Sequence, residues 1–138
     1  MPSNTSSWED LQKAFWQTPS PARTLLAVAI AALVAKLPQA VLSLAMPHGS
    51  DGVIPSSGNP ANGWVALLWA LSSLVLVAMR HWLGWLSSVC FMLLSLVSGF
   101  RLFSEGFVLW STVQLVTSVI GIIALVLAIR AIRWPTKA

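Results

Sequence analysis

Lys36, Pro38 and Gln39 stand together near the middle of LLAVAIAALVAKLPQAVLSLAM, residues 25–46, a run otherwise apolar enough for a lipid bilayer. A lysine at mid-depth costs about 3 kcal/mol on insertion scales, so its charge needs a purpose or a partner. Three kinds of chemistry fit an ammonium in such a place. It can bind an anion, pair with a carboxylate on another chain, or be stabilised as a structural group by nearby carbonyls, hydroxyls, water or lipid phosphate, with or without its proton. Pro38 adds a second polar feature, because a proline inside a helix leaves the carbonyl of Val34 without its usual donor. These residues predict a polar kink near mid-membrane. Gln114, about two turns into another apolar segment, is a further candidate for a hydrogen bond across helices.

The chain holds four acids, Glu9, Asp10, Asp51 and Glu105, and none falls within an apolar segment. No carboxylate of its own is therefore expected to neutralise Lys36. On a helical wheel Ala29, Ala32, Ala40 and Ser43 lie within about 40° of Lys36, with Gln39 on the flank. Leu26, Ile30, Leu33, Leu37, Val41 and Leu44 gather to one side and are expected to face lipid. Small residues allow close helix approach, so Lys36 is expected to face protein or a cavity.

Other polar residues read first as packing. Gly84, Ser88, Ser95 and Gly99 form a small-residue stripe, and Ser111, Thr112, Gln114, Thr117, Ser118 and Gly121 enrich one half of the last segment. Arg101 and Glu105 are spaced to pair as i, i+4. His48 and His81 fall on opposite sides of the membrane, and Cys90 has no cysteine partner. No metal-ligand cluster, no nucleophile with a base at matching depth and no phosphate-binding glycine loop is visible. Neither an enzyme nor a cofactor is expected.

The elements that must position these residues follow from composition. Apolar residues make up 57% of the 138-residue chain, charged residues only 9%, and the mean hydropathy is +0.79. A soluble domain is roughly a quarter charged, so the chain is expected to be an integral membrane protein. The net charge of +4 and pI near 10.3 would suggest nucleic acid in a soluble protein. Here basic topology residues explain them, and no nucleic-acid partner is expected. The expected fold is an all-α integral membrane four-helix bundle of two antiparallel hairpins, preceded by a short interfacial amphipathic helix. Spans are expected over about 25–46, 63–79, 83–100 and 107–129 within a membrane domain at 23–130, with an outer loop at 47–62. Residues 1–22 form the N-terminal segment and 131–138 a basic tail.

Placing both termini in the cytoplasm puts Lys13, Arg23, Arg80, Arg130, Arg133 and Lys137 inside and Arg101 alone near the outer face. The chain therefore reads as a multi-pass protein of the bacterial inner-membrane type. Trp64 and Trp110 are expected at the outer boundary, Trp82, Trp85 and Trp134 at the inner one, with Trp69 deeper as a packing residue. In the N-terminal segment Trp8, Leu11 and Phe15 share one helical face, and Ser6 with Glu9, or Ser7 with Asp10, resembles a capping box. Pro19 and Pro21 are expected to end that helix.

The leading functional expectation is a small non-enzymatic protein acting through helix contacts, as an accessory or regulatory subunit of a membrane partner. Immunity-type proteins fall in this class on architecture alone. The alternative is a homo-oligomeric transporter or channel for an anion or polar metabolite, using Lys36 and Gln39, with Gln114 a weaker contributor. Membrane lipids, and a second membrane protein or further copies of the chain, are the expected partners.

Overall fold

The computed structural model describes residues 20–46, 48–49, 53–56 and 60–133, together with Glu9. The expected interfacial helix, Lys13, Asp51, Trp134 and Lys137 lie outside the described residues, apart from Glu9, which is helical. Four long helices follow one another: α1 (Ser20–Ala45), α2 (Pro60–Ala78), α3 (Trp82–Ser104) and α4 (Val108–Arg133). Each is long and apolar enough to cross a membrane. Their 19 to 26 residues rise about 28 to 39 Å, against a hydrocarbon core of roughly 30 Å.

The helices exceed the apolar runs at several ends, for local reasons. Pro21 falls in the first turn of α1, where a missing amide hydrogen costs no hydrogen bond, so this proline opens the membrane helix. Pro60 opens α2 in the same way. Helix α1 then continues unbroken through Pro38, and that residue is exposed on the outward side.

Two tight turns set the topology. Helix α3 closes in a Schellman motif: Phe107 donates its backbone N–H to Leu102 and Gly106 donates to Phe103, with Gly106 at φ +98°. The end of α2 repeats the pattern without a glycine. His81 donates to the Leu76 carbonyl and Arg80 to that of Val77, while Arg80 takes φ +56°. His81 then caps α3, its Nδ1 accepting the Leu83 N–H at 3.1 Å.

Packing runs in a ring: α1 lies against α2, α2 against α3, α3 against α4, and α4 against α1. Both partners of α1 remove its side chains from the surface, and this corrects the expected lipid-facing side. Leu26 and Leu33 are buried with Ala29, Ala32 and Ala40, while Val41 of the same set is exposed. One face of small residues serves one neighbour, whereas a helix with two neighbours needs a wider buried arc. Outside the ring, large apolar side chains such as Val97 and Leu109 are about two-thirds exposed, as lipid contact requires. The protein is an all-α four-helix bundle built to span a membrane.

The bundle divides along its length. Towards the termini, Leu26, Leu33, Val77, Met92 and Leu125 fill a dry core with intervening alanines. Gly84 and Gly121 are buried here, and Ser88 closes onto the Gly84 carbonyl at 2.6 Å. A Cβ on Gly84 would lie 2.5 Å from the Val77 backbone nitrogen, whereas one on Gly121 would meet the mobile end of Met92 at 2.8 Å. Towards the loops, Gly99 admits Leu115, and the Ser95 backbone carbonyl accepts a hydrogen bond from α4.

Backbone cannot yield as a methionine can, so the two glycines differ sharply in tolerance. Gly84→Ala is expected to lower stability by about 1–3 kcal/mol through overpacking. Gly121→Ala should cost clearly less, and thermal unfolding of both variants in detergent micelles, followed by circular dichroism, checks the order.

Candidate functional site

Helix periodicity brings Lys36, Gln39, Ala40 and Ser43 of α1 to the bundle interior. They line a cavity of about 380 Å³ in the loop-side half, walled by all four helices. Lys36 is only 4% exposed and lies about 14 Å along α1 from Ala45. Its Nζ donates to the Gln114 carbonyl at 2.8 Å and to Ser118 Oγ at 2.6 Å, both on α4. Ser118 in turn donates to the Gln114 carbonyl at 2.6 Å, closing a triangle. The lysine therefore does not snorkel to either surface.

The neighbouring amides brace the same seam. Gln39 Nε2 donates to the Trp110 carbonyl at 3.1 Å, and Gln114 Nε2 donates to the Ser95 carbonyl at 2.8 Å. Gln114 thus ties α4 to α3 by its side chain and to α1 by its backbone. No buried side-chain nitrogen or oxygen among the described residues lacks a partner.

An ammonium carries three N–H donors. Two are held by α4, and the partners they meet are uncharged. Across the cavity Trp69 forms a fixed wall: its Nε1 donates to Ser87 Oγ at 2.9 Å and to the Ser87 carbonyl at 3.2 Å. Ser87 also pairs with Ser73 at 2.7 Å, and the Trp69 and Phe91 rings sit 5.6 Å apart, tilted by 55°. Arg101 stands at the rim, with its Nε 3.6 Å from Glu105 Oε2 in an exposed pair. Such an exposed pair contributes under about 1 kcal/mol.

The loop side is closed in part by the segment after α1. Ile54 is buried against Leu102 and Trp110, with Phe107 beside them, and Pro55 and Ser56 line the cavity. Gly49 allows the chain to double back: at φ +79° a Cβ there would lie 2.5 Å from the Ile54 carbonyl oxygen. Trp110 is buried beneath this strap, although its sequence position suggests a membrane-boundary anchor. Trp85 is likewise half-buried, donating to the Leu125 carbonyl at 2.7 Å, whereas Trp64 is exposed.

Of the residues singled out in sequence, the cavity brings together Lys36, Gln39, Ala40, Ser43, Ser95, Trp110 and Gln114. Pro38 lies on the outer side, and Ala29, Ala32, Gly84, Ser88, Gly99 and Gly121 belong to helix contacts. Sequence reasoning missed Ser118 as the partner of Lys36 and Trp69 and Arg101 as cavity residues. Depth was the available signal: Ser118 lies about 15 Å into α4 from the loop end, level with Lys36 on an antiparallel neighbour. Among the described residues no group of three His, Cys, Asp or Glu side chains is placed to hold a metal ion.

The class of molecule is a small all-α multi-span membrane protein packed around a largely apolar chamber that Lys36 and Arg101 also line. No family model, curated protein or solved structure matches the chain.

The triangle at Lys36 sets an energetic expectation. Lys36→Met removes a charge yet leaves Ser118 bonded to Gln114, so stability should stay within about 1 kcal/mol of the parent. Ser118→Ala strips a buried cation of an acceptor and should cost about 1–3 kcal/mol. In the Lys36→Met background the Ser118→Ala cost should shrink, a coupling that a double-mutant cycle of thermal stabilities measures.

Proposed function

We propose that this chain is a non-catalytic membrane protein that binds a small anionic ligand in the chamber above Lys36, one ligand per copy. The observation that carries the reading is a buried lysine at the floor of a 380 Å³ cavity, held by uncharged groups alone. Intramembrane charges of this kind mark ligand and ion pathways. The volume falls at the small end of ligand pockets, roughly 300–1,000 Å³. Arg101, paired with Glu105, places a second basic side chain at the rim. The basic residues support a cytoplasmic terminal end, with Arg23, Arg80, Arg130 and Arg133 there, so the chamber opens towards the outer face.

This reading departs from both sequence expectations in one respect each. A transport path shared between copies is not needed, because the chamber lies within one bundle. A partner carboxylate reaching Lys36 from a neighbouring helix is disfavoured, because α4 covers the lysine and its surface exposure is small. An accessory or regulatory role remains compatible with ligand binding, since a loaded chamber and an empty one present different loop-side surfaces.

Gentle extraction followed by native mass spectrometry tests the proposal. The wild type should release an anionic small molecule at one per chain, and Lys36→Met should lose it while keeping helical content. A foreign membrane protein bound equally by wild type and Lys36→Met, with no small anion released, would overturn it.

A further inference from the structure

The chamber has an unequal wall. Its lining residues on α1 and α4, including Lys36, Gln39, Trp110 and Gln114, are buried or half-buried. On α2 and α3 the lining includes Val65 and Leu94, which are 57% and 56% exposed. Both are apolar and lie on membrane-spanning helices, so the mouth, rimmed at the loop end by exposed Asn62 and Arg101, extends down the α2/α3 side to the lipid-facing surface. Leu94 lies about 15 Å along α3 from its Ser104 end, level with Lys36, which is about 14 Å along α1 from Ala45. A polar floor thus faces a side opening framed by hydrocarbon. The loop end is covered in part by the docked strap of Ile54 and Pro55.

We propose that the occupant is a single-chain anionic amphiphile, a fatty carboxylate drawn from the membrane, with its head at Lys36 and its tail leaving between Val65 and Leu94. This rests on the anion-binding reading above and adds the ligand's class and its route. The head replaces nothing that Lys36 already uses, because the lysine has a third N–H beyond those given to Gln114 and Ser118. Trp69 and Phe91 flank the first methylenes. The chamber holds a head and a short stretch of chain, and the remainder of the tail stays in lipid at no hydrophobic cost. A free water-soluble anion gains nothing from such a side opening. A two-chain phospholipid would have to bring its whole backbone to the same depth, into a chamber at the small end of ligand pockets.

The test uses the full chain in maltoside micelles with oleate, benzoate and phosphatidylglycerol as separate probes, read by native mass spectrometry. Oleate should bind one per chain, at least tenfold more tightly than benzoate, and Lys36→Met should weaken it at least tenfold. The paired Val65→Trp, Leu94→Trp variant alters lipid-facing positions, so it should fold. It should weaken oleate at least ten times more than it weakens benzoate. A photoactivatable fatty acid carrying its diazirine in mid-chain should label α2 and α3 around Val65 and Leu94. Benzoate equal to oleate, or labelling confined to the loop end, overturns the lateral route while the Lys36 anion site survives. Phosphatidylglycerol displacing oleate at equal concentration overturns the single-chain assignment. Indifference of every probe to Lys36→Met overturns the anion-binding reading itself.

Discussion

The desolvation of one ammonium organises the loop-side half of this bundle. A charge in hydrocarbon must meet hydrogen-bond acceptors at its own depth, and α1 cannot supply them because its backbone carbonyls are largely occupied by the helix. The acceptors come from α4, through the Gln114 carbonyl and the Ser118 hydroxyl. That demand fixes the rotation and the height of α1 against α4. Gln39 to Trp110 and Gln114 to Ser95 then extend the register towards the loop end and across to α3. Leucine contacts alone would leave a helix in lipid free to slide or rotate, since lipid tails are as apolar as the core.

The terminal half is stabilised differently. Alanines on α1 and α4, with Gly84 and Gly121, allow close approach, and Leu33, Met92 and Leu125 fill the centre. Dispersion between closely fitted surfaces replaces the missing hydrophobic drive. One end of the molecule is thus tightly packed, and the other holds the chamber with its polar seam along α1 and α4. That packed half lies beneath Lys36 and bounds the chamber on the terminal side.

Much of the fold was legible because membrane helices announce themselves by length and hydropathy, and the turn through Ser104, Glu105 and Gly106 by its glycine. The Arg80 turn was legible only as a break between two apolar runs, since an arginine in the left-handed region gives no sequence signal. The inward orientation of Lys36 followed from Ala29, Ala32 and Ala40 on its face. What periodicity could not supply was the number of neighbours of each helix, and this is why Leu26 and Leu33 were placed on the wrong side. It could not supply the chamber either. A cavity is a property of four surfaces together, and Trp69 reads identically in sequence as a packing residue or a wall.

The arrangement also bears on why the lysine has no acid beside it. A buried carboxylate would neutralise Lys36 and leave the chamber with little net field for an incoming anion. Hydroxyl and carbonyl partners do something different: they satisfy the geometry of the donors and leave the charge in place. An internal ion pair would make the site a structural staple. Neutral partners orient the Lys36 donors without adding a counter-charge, whereas Arg101 at the rim has Glu105 beside it. The polar inventory of α4, with a serine and a carbonyl in place of an aspartate, therefore holds α1 in register without giving Lys36 a counter-ion, which is what the proposed anion site requires.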